Sequence, residues 1–106
     1  MMQESLSEKQ QRFTHMIAML INHAEYCGYK LTFGHAYRCD DCNIGQPFSL
    51  HKKRLAVDFN LFKDGVYLTS TKDHEPLGLY WESIGGTWGG RFKDGNHYSL
   101  EHEGFK

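Results

Sequence analysis

The first thirty positions carry the pattern of an amphipathic helix. Apolar side chains recur there at intervals of three and four, at Phe13, Met16, Ile17, Leu20, Ala24 and Cys27. This spacing places them on one helix face, which we expect to pack in the core. Ser7, followed three positions later by Gln10, predicts the N-cap, and Gly28 predicts the end.

Two-residue alternation predicts strands in the middle of the chain. Leu55, Val57, Phe59 and Leu61 alternate with more polar positions, so a half-buried strand is predicted over 55–62. A strand is also predicted over 29–33, and Lys63-Asp64-Gly65 predicts a hairpin turn into 66–68. Residues 34–50 show neither period, which is typical of an active-site loop.

A second helix is predicted over 75–84, with Pro76 in its first turn and Gly85-Gly86 at its end. His74 would then be a loop or cap residue, and Trp81 a core anchor. Further on, Asp94-Gly95-Asn96-His97 predicts a tight turn, because Gly and Asn tolerate positive φ at its centre.

Candidate chemistry lies in two short segments, one with His51 and Asp58 and the other with Asp94 and His97. Two imidazoles and a carboxylate suit a catalytic zinc ion with an open position, and a second carboxylate can serve the attacking water. A straight helix would separate residues 51 and 58 by about 10 Å, and a straight strand by more than about 20 Å. We therefore expect a loop between His51 and Asp58.

Both segments resemble the zinc D-Ala-D-Ala carboxypeptidases and L-alanyl-D-glutamate endopeptidases, which cut the stem peptide of the bacterial cell wall. The family motif S-x-H-x-x-G-x-A-x-D is similar to the segment containing Ser49, His51, Arg54, Ala56 and Asp58, with arginine at the glycine position. A second family pattern resembles Trp88-Gly89-Gly90 followed by Asp94-Gly95-Asn96-His97-Tyr98. Tyr37-Arg38 resembles a third, shorter segment, G-Y-R.

The resemblance implies an α+β fold of the hedgehog and D-Ala-D-Ala peptidase type, a small antiparallel sheet with helices packed on one side. It implies that His51, Asp58 and His97 bind Zn²⁺ and that Asp94 moves the proton of the attacking water. Arg38 would bind a substrate carboxylate or the oxyanion. Ser49 is expected on the substrate side, bracing the loop, and Trp88 either walls the substrate cleft or packs beneath the sheet.

Composition limits the partners and the location. The chain has 106 residues with a net charge of −1, so we expect one domain over 1–106, and the charge is unlike that of a dedicated nucleic-acid binder. The longest apolar run, 16–21, is too short for a membrane span, and no signal peptide is visible. With the resemblance, this predicts a monomeric phage-type lytic enzyme, cytoplasmic when made, that acts on peptidoglycan after release.

Other interpretations stay open at this point. Cys39 and Cys42, with His35 and His51, have the spacing of a structural Cys2His2 zinc site, and a CxxC pair also occurs in redox enzymes. A non-catalytic zinc-containing binding module is a further alternative. The sequence does not distinguish cleavage between L-Ala and D-Glu from cleavage between two D-alanines.

Overall fold

The computed structural model describes residues 4–34 and 53–102. Its elements are α1 (Leu6–Tyr26), β1 (Tyr29–Phe33), β2 (Ala56–Lys63), β3 (Val66–Leu68), α2 (Thr71–Ser83), β4 (Thr87–Trp88), a 3-10 helix (Gly89–Phe92) and β5 (His97–Ser99). The predicted α+β class is confirmed. Neither long helix in the described ranges is apolar enough over a sufficient length to cross a bilayer. A single domain over 1–106 includes residues outside these ranges and stays a prediction.

The sheet is antiparallel, in the order β1-β2-β5-β4, with β3 also paired to β2. The predicted hairpin is confirmed: Asp64 and Gly65 both have positive φ, 52° and 79°, as a tight two-residue hairpin turn requires. Because side chains alternate along β2, Val57 lies on one face of the sheet and Asp58 on the other.

Both helices pack on the Val57 face. The ring of Phe13 in α1 meets Trp81 of α2 edge-on at 5.8 Å between centroids, and Trp81 meets Tyr98 of β5 at 6.0 Å. Tyr98 is the register partner of Val57. Trp81 is fully buried and its indole N–H donates to the Ser99 carbonyl, which confirms it as a core anchor. The opposite face, which carries Asp58, is left for the candidate site.

The cap of α1 differs from the prediction. Ser5, not Ser7, is the N-cap: its hydroxyl accepts from the Glu8 N–H at 3.1 Å, and the Glu8 carboxylate accepts from the Ser5 N–H at 3.0 Å. Ser5 precedes Glu8 by three positions, as Ser7 precedes Gln10, so both pairs fit a capping box. Glu8 is negatively charged, and its interaction with the positive end of the helix dipole adds stability that Gln10 would not supply. Cys27 is the C-cap and is exposed, so its predicted burial is wrong.

Helix α2 begins at Thr71, four residues before the predicted start. Ser70 and Asp73 form a reciprocal capping box, with hydrogen bonds of 3.0 and 3.2 Å. Pro76 therefore lies inside the helix rather than in its first turn. Because proline has no N–H, the helix lacks one backbone hydrogen-bond donor at this position. The earlier start places His74 inside the helix, where it is buried, so the prediction that His74 is a loop or cap residue is wrong.

Candidate metal centre

Asp58 of β2 and His97 of β5 stand directly opposite each other in the sheet. The Phe59 N–H donates to the Asn96 carbonyl at 2.9 Å, whereas the His97 N–H turns away to the Asp94 carbonyl at 3.1 Å. Asp58 and His97 are therefore a non-hydrogen-bonded pair, the kind whose side chains approach most closely. Both are buried, 8% and 7% exposed, and Nδ1 of His97 lies 3.4 Å from Oδ1 of Asp58.

Asp94 joins this pair from the turn that leads into β5. Its N–H donates to the Gly89 carbonyl at 2.9 Å, and its carbonyl accepts from His97, so the backbone of Asp94 is held from both sides. Its carboxylate is exposed, in contrast to the two buried side chains. One ligand atom from each of Asp58, Asp94 and His97 lies within 4.8 Å of the others.

The turn itself corrects one expectation. Neither Gly95 nor Asn96 has positive φ; the left-handed residue is Lys93, at φ 63°. Gly95 is required for space instead, because a Cβ there would lie 2.5 Å from the Cα of Thr71 in α2. The Gly95 N–H also donates a hydrogen bond to the Thr71 hydroxyl at 3.2 Å. Helix α2 thus supports the turn that carries Asp94.

Trp88 supports the same turn from inside the core. It is 3% exposed, and its indole N–H donates to the Gly95 carbonyl at 2.8 Å. A Cβ at Gly78 or at Gly90 would lie 2.1 or 2.2 Å from the indole ring, so the two glycines make room for it. Of the two roles considered from the sequence, this burial favours packing, and a role of Trp88 in walling a substrate cleft stays a prediction.

Gly89 brings the two parts of the site together. A Cβ at this position would lie 2.2 Å from the carbonyl oxygen of Asp94 and 2.7 Å from the Cβ of His97. Such distances are far inside normal contact, so no side chain fits without moving Asp94 or His97. The tryptophan-glycine-glycine segment is therefore a packing requirement of the site.

Arg54 occupies the position where the resembled motif has glycine, and its backbone is left-handed with φ 57°. This conformation favours glycine because a Cβ crowds the following carbonyl. Arg54 thus adopts a backbone conformation that glycine adopts more easily. Asp58 follows four residues later in the regular strand β2.

The donor set fits a zinc ion. Two ligands of a tetrahedral zinc ion, each at about 2.0–2.1 Å from the metal, are separated by about 3.3–3.4 Å. The Nδ1–Oδ1 distance of 3.4 Å between His97 and Asp58 matches that separation. Imidazole and carboxylate are both zinc ligands, and both side chains of the pair are buried.

Several predicted site residues lie outside the described residues. These are Arg38, Ser49 and His51, together with Cys39, Cys42 and His35 of the alternative site. Their predicted roles stay predictions. Of the four residues in the two candidate segments, the structure describes Asp58, Asp94 and His97 and brings all three together.

Sequence reasoning missed a buried polar pair beneath the site. Nδ1 of His74 lies 2.8 Å from the hydroxyl of Tyr98, the residue after His97. Burial lowers the pKa of His74 and raises that of the Tyr98 phenol. The signal was present, since His74, Leu77, Gly78 and Trp81 recur at helical spacing and are all buried, but only a helix that starts before residue 74 reveals it.

The comparison with protein families gives a match over residues 43–100, more than half of the chain, to a family described as D-alanyl-D-alanine carboxypeptidase. The chain belongs to this family. The match confirms the resemblance drawn from the two motifs and, with it, the predicted peptidase class. It includes His51, Asp58, Asp94 and His97, whereas Arg38 precedes it. A comparison with curated proteins finds no match.

Proposed function

We propose that the protein is a zinc-dependent peptidase that hydrolyses a peptide bond in the stem peptide of peptidoglycan. The observation that carries the proposal is the meeting of Asp58, Asp94 and His97 within 4.8 Å, in a chain whose family is named for a cell-wall peptidase. Two of these side chains are buried and one is exposed. This division suits two ligands and one group that exchanges protons with water.

Asp58 and His97, together with His51, would hold the metal ion. When bound, a zinc ion supplies Lewis-acid polarisation of the scissile carbonyl and lowers the pKa of a water molecule to about 7. The exposed carboxylate of Asp94 accepts the proton of the attacking water and then donates it to the leaving amine. Arg38 donates hydrogen bonds to the developing oxyanion or to a substrate carboxylate.

The bond that we propose is the one between L-Ala and D-Glu, cleaved by a monomeric, phage-type lytic enzyme that is made in the cytoplasm and reaches the wall after release. The second candidate is cleavage between two D-alanines, and the description of the matched family favours it. Both reactions use the same metal and the same proton transfers. The difference lies in which end of the stem peptide the cleft accepts.

Mass analysis of purified peptidoglycan fragments tests the proposal. The protein is incubated with the fragments as purified, with added zinc, and after treatment with a chelator. We expect cleavage that requires zinc, with a product mass that identifies the bond. Binding of the stem peptide without cleavage, at any zinc concentration, would favour a non-catalytic binding module.

Two substitutions separate the proposed roles. Asp94→Asn should retain one zinc ion per chain but lower turnover by about 10²–10⁴-fold, the usual contribution of a positioned acid–base group. Asp58→Ala should lose the metal as well. Asp64→Asn, in the β2–β3 hairpin, is the matched control, because asparagine tolerates the positive φ there. If Asp94→Asn loses zinc, Asp94 is a ligand and the base lies elsewhere.

A further inference from the structure

Phe92 stands at the rim of the candidate metal centre. It is the last residue of the 3-10 helix, and Lys93 follows it in the left-handed conformation, φ 63°. That residue reverses the chain, so that Asp94 returns to donate to the Gly89 carbonyl. Phe92 and Asp94 are thereby placed on either side of one sharp bend, next to the cluster.

The ring of Phe92 contacts a proposed metal ligand and also faces solvent. Its centroid lies 5.7 Å from that of the His97 imidazole, with the rings inclined at 61°. The side chain is 46% exposed, whereas His97 is buried. One part of the phenyl ring therefore covers His97, and the rest is an apolar surface beside the candidate metal centre, where the scissile carbonyl of the proposed substrate would lie.

The proposed substrate has a matching group. In both candidate reactions the residue whose carbonyl is attacked is an alanine, either the L-Ala of the L-Ala–D-Glu bond or the first D-Ala of the D-Ala–D-Ala bond. Its methyl group is one bond from the α-carbon and close to the scissile carbonyl. The methyl group projects to opposite sides of the backbone in L-Ala and D-Ala. An apolar ring next to His97 can cover the methyl group of the L-Ala in the L-Ala–D-Glu bond, the bond proposed above.

We propose that Phe92 is a specificity-determining residue, whose exposed ring contacts the methyl group of the alanine that precedes the cleaved bond. This rests on the proposed function. One methyl group removed from water is worth about fourfold in kcat/KM, which corresponds to about 0.8 kcal/mol. The contact therefore makes the enzyme prefer alanine to glycine at this position by about fourfold.

The test uses synthetic stem peptides that carry either alanine or glycine before the cleaved bond. With zinc, the wild-type protein should show kcat/KM about fourfold higher for the alanine peptide. Phe92→Ser should bring this ratio to about 1, mainly by weakening cleavage of the alanine peptide, and Phe92→Leu should restore most of the preference. Leu79→Ser is the matched control, because Leu79 is 47% exposed on α2; its ratio should equal that of the wild type.

Two further measurements do not depend on turnover. In the Asp94→Asn background, calorimetry should show the same preference in the binding of the two peptides, and Phe92→Ser should remove it. Zinc affinity, from competition with a chromogenic chelator, should be unchanged by Phe92→Ser. A ring that only holds His97 in place predicts the opposite result: zinc binding weakens and both peptides lose the same factor.

The outcomes separate the two proposals. A wild-type enzyme that cleaves alanine and glycine peptides equally well refutes the role of Phe92 and leaves the hydrolytic function intact. A zinc-loaded wild type that cleaves neither peptide refutes the proposed function, and the assignment of Phe92 falls with it.

Discussion

Substitution of Gly89 by alanine should disable the site more than it destabilises the fold. The new Cβ would lie 2.2 Å from the Asp94 carbonyl oxygen and 2.7 Å from the His97 Cβ. To reach an ordinary contact of about 3.4 Å, these groups must move by roughly 1 Å, and misplacement of that size costs about 10²-fold in rate. Overpacking of this kind costs about 1–3 kcal/mol of stability.

The assay for Gly89→Ala combines urea unfolding of the zinc-free protein, zinc affinity and turnover of the folded protein. Gly90→Ala is the first comparison: its Cβ would lie 2.2 Å from the Trp88 ring, so we expect a similar loss of stability but a smaller loss of turnover. Gly28→Ala is the second, because it has positive φ and open space, and should lower stability by about 1 kcal/mol without affecting the site. Wild-type zinc affinity and turnover in Gly89→Ala would refute the reasoning.

Three other predictions concern stability. Arg54→Gly should raise the free energy of unfolding by about 0.5–1 kcal/mol, since relief of the left-handed backbone exceeds the added entropy of the unfolded chain; a lower urea midpoint would contradict this. Because burial lowers the pKa of His74, the unfolded state binds more protons than the folded state below about pH 6.5, and stability should fall as the pH drops through that range. In zinc-free protein, His74→Gln should show a weaker fall, and a fall as steep as that of the wild type would assign the effect to other groups. Zinc at 100 times its dissociation constant should stabilise the wild type by about 2.7 kcal/mol, seen as a rise in melting temperature, and a rise of equal size in Asp58→Ala would place the ion elsewhere.

The sequence could predict the features that depend on local hydrophobic periodicity and on the order of the motifs. Alternation along residues 55–62 predicted β2, which is observed at Ala56–Lys63, and it placed Asp58 on the face opposite Val57. The two motifs identified the family and the segments from which Asp94 and His97 come. These predictions need only neighbours a few positions apart.

The features that sequence could not predict depend on contacts between distant elements. Gly95 was expected to adopt positive φ, but it is required because Thr71, 24 positions earlier, packs against it. The start of α2 was misplaced because Pro76 suggested a first turn, whereas the capping box at Ser70 and the burial of the inner face determine the helix. A single sequence shows which residues are compatible with a given turn or helix start. It does not show which distant residue packs there and makes that residue necessary.

Because Asp58 pairs with His97 across the two strands, the register of the sheet positions two of the three proposed metal ligands. Backbone hydrogen bonds on either side of the pair keep the two side chains together, with no need for a connecting loop to position them. Insertions in the segments between the strands can therefore alter which substrates are admitted while the core of the metal site stays the same. Such a scaffold can change its selectivity without rebuilding its reactive centre.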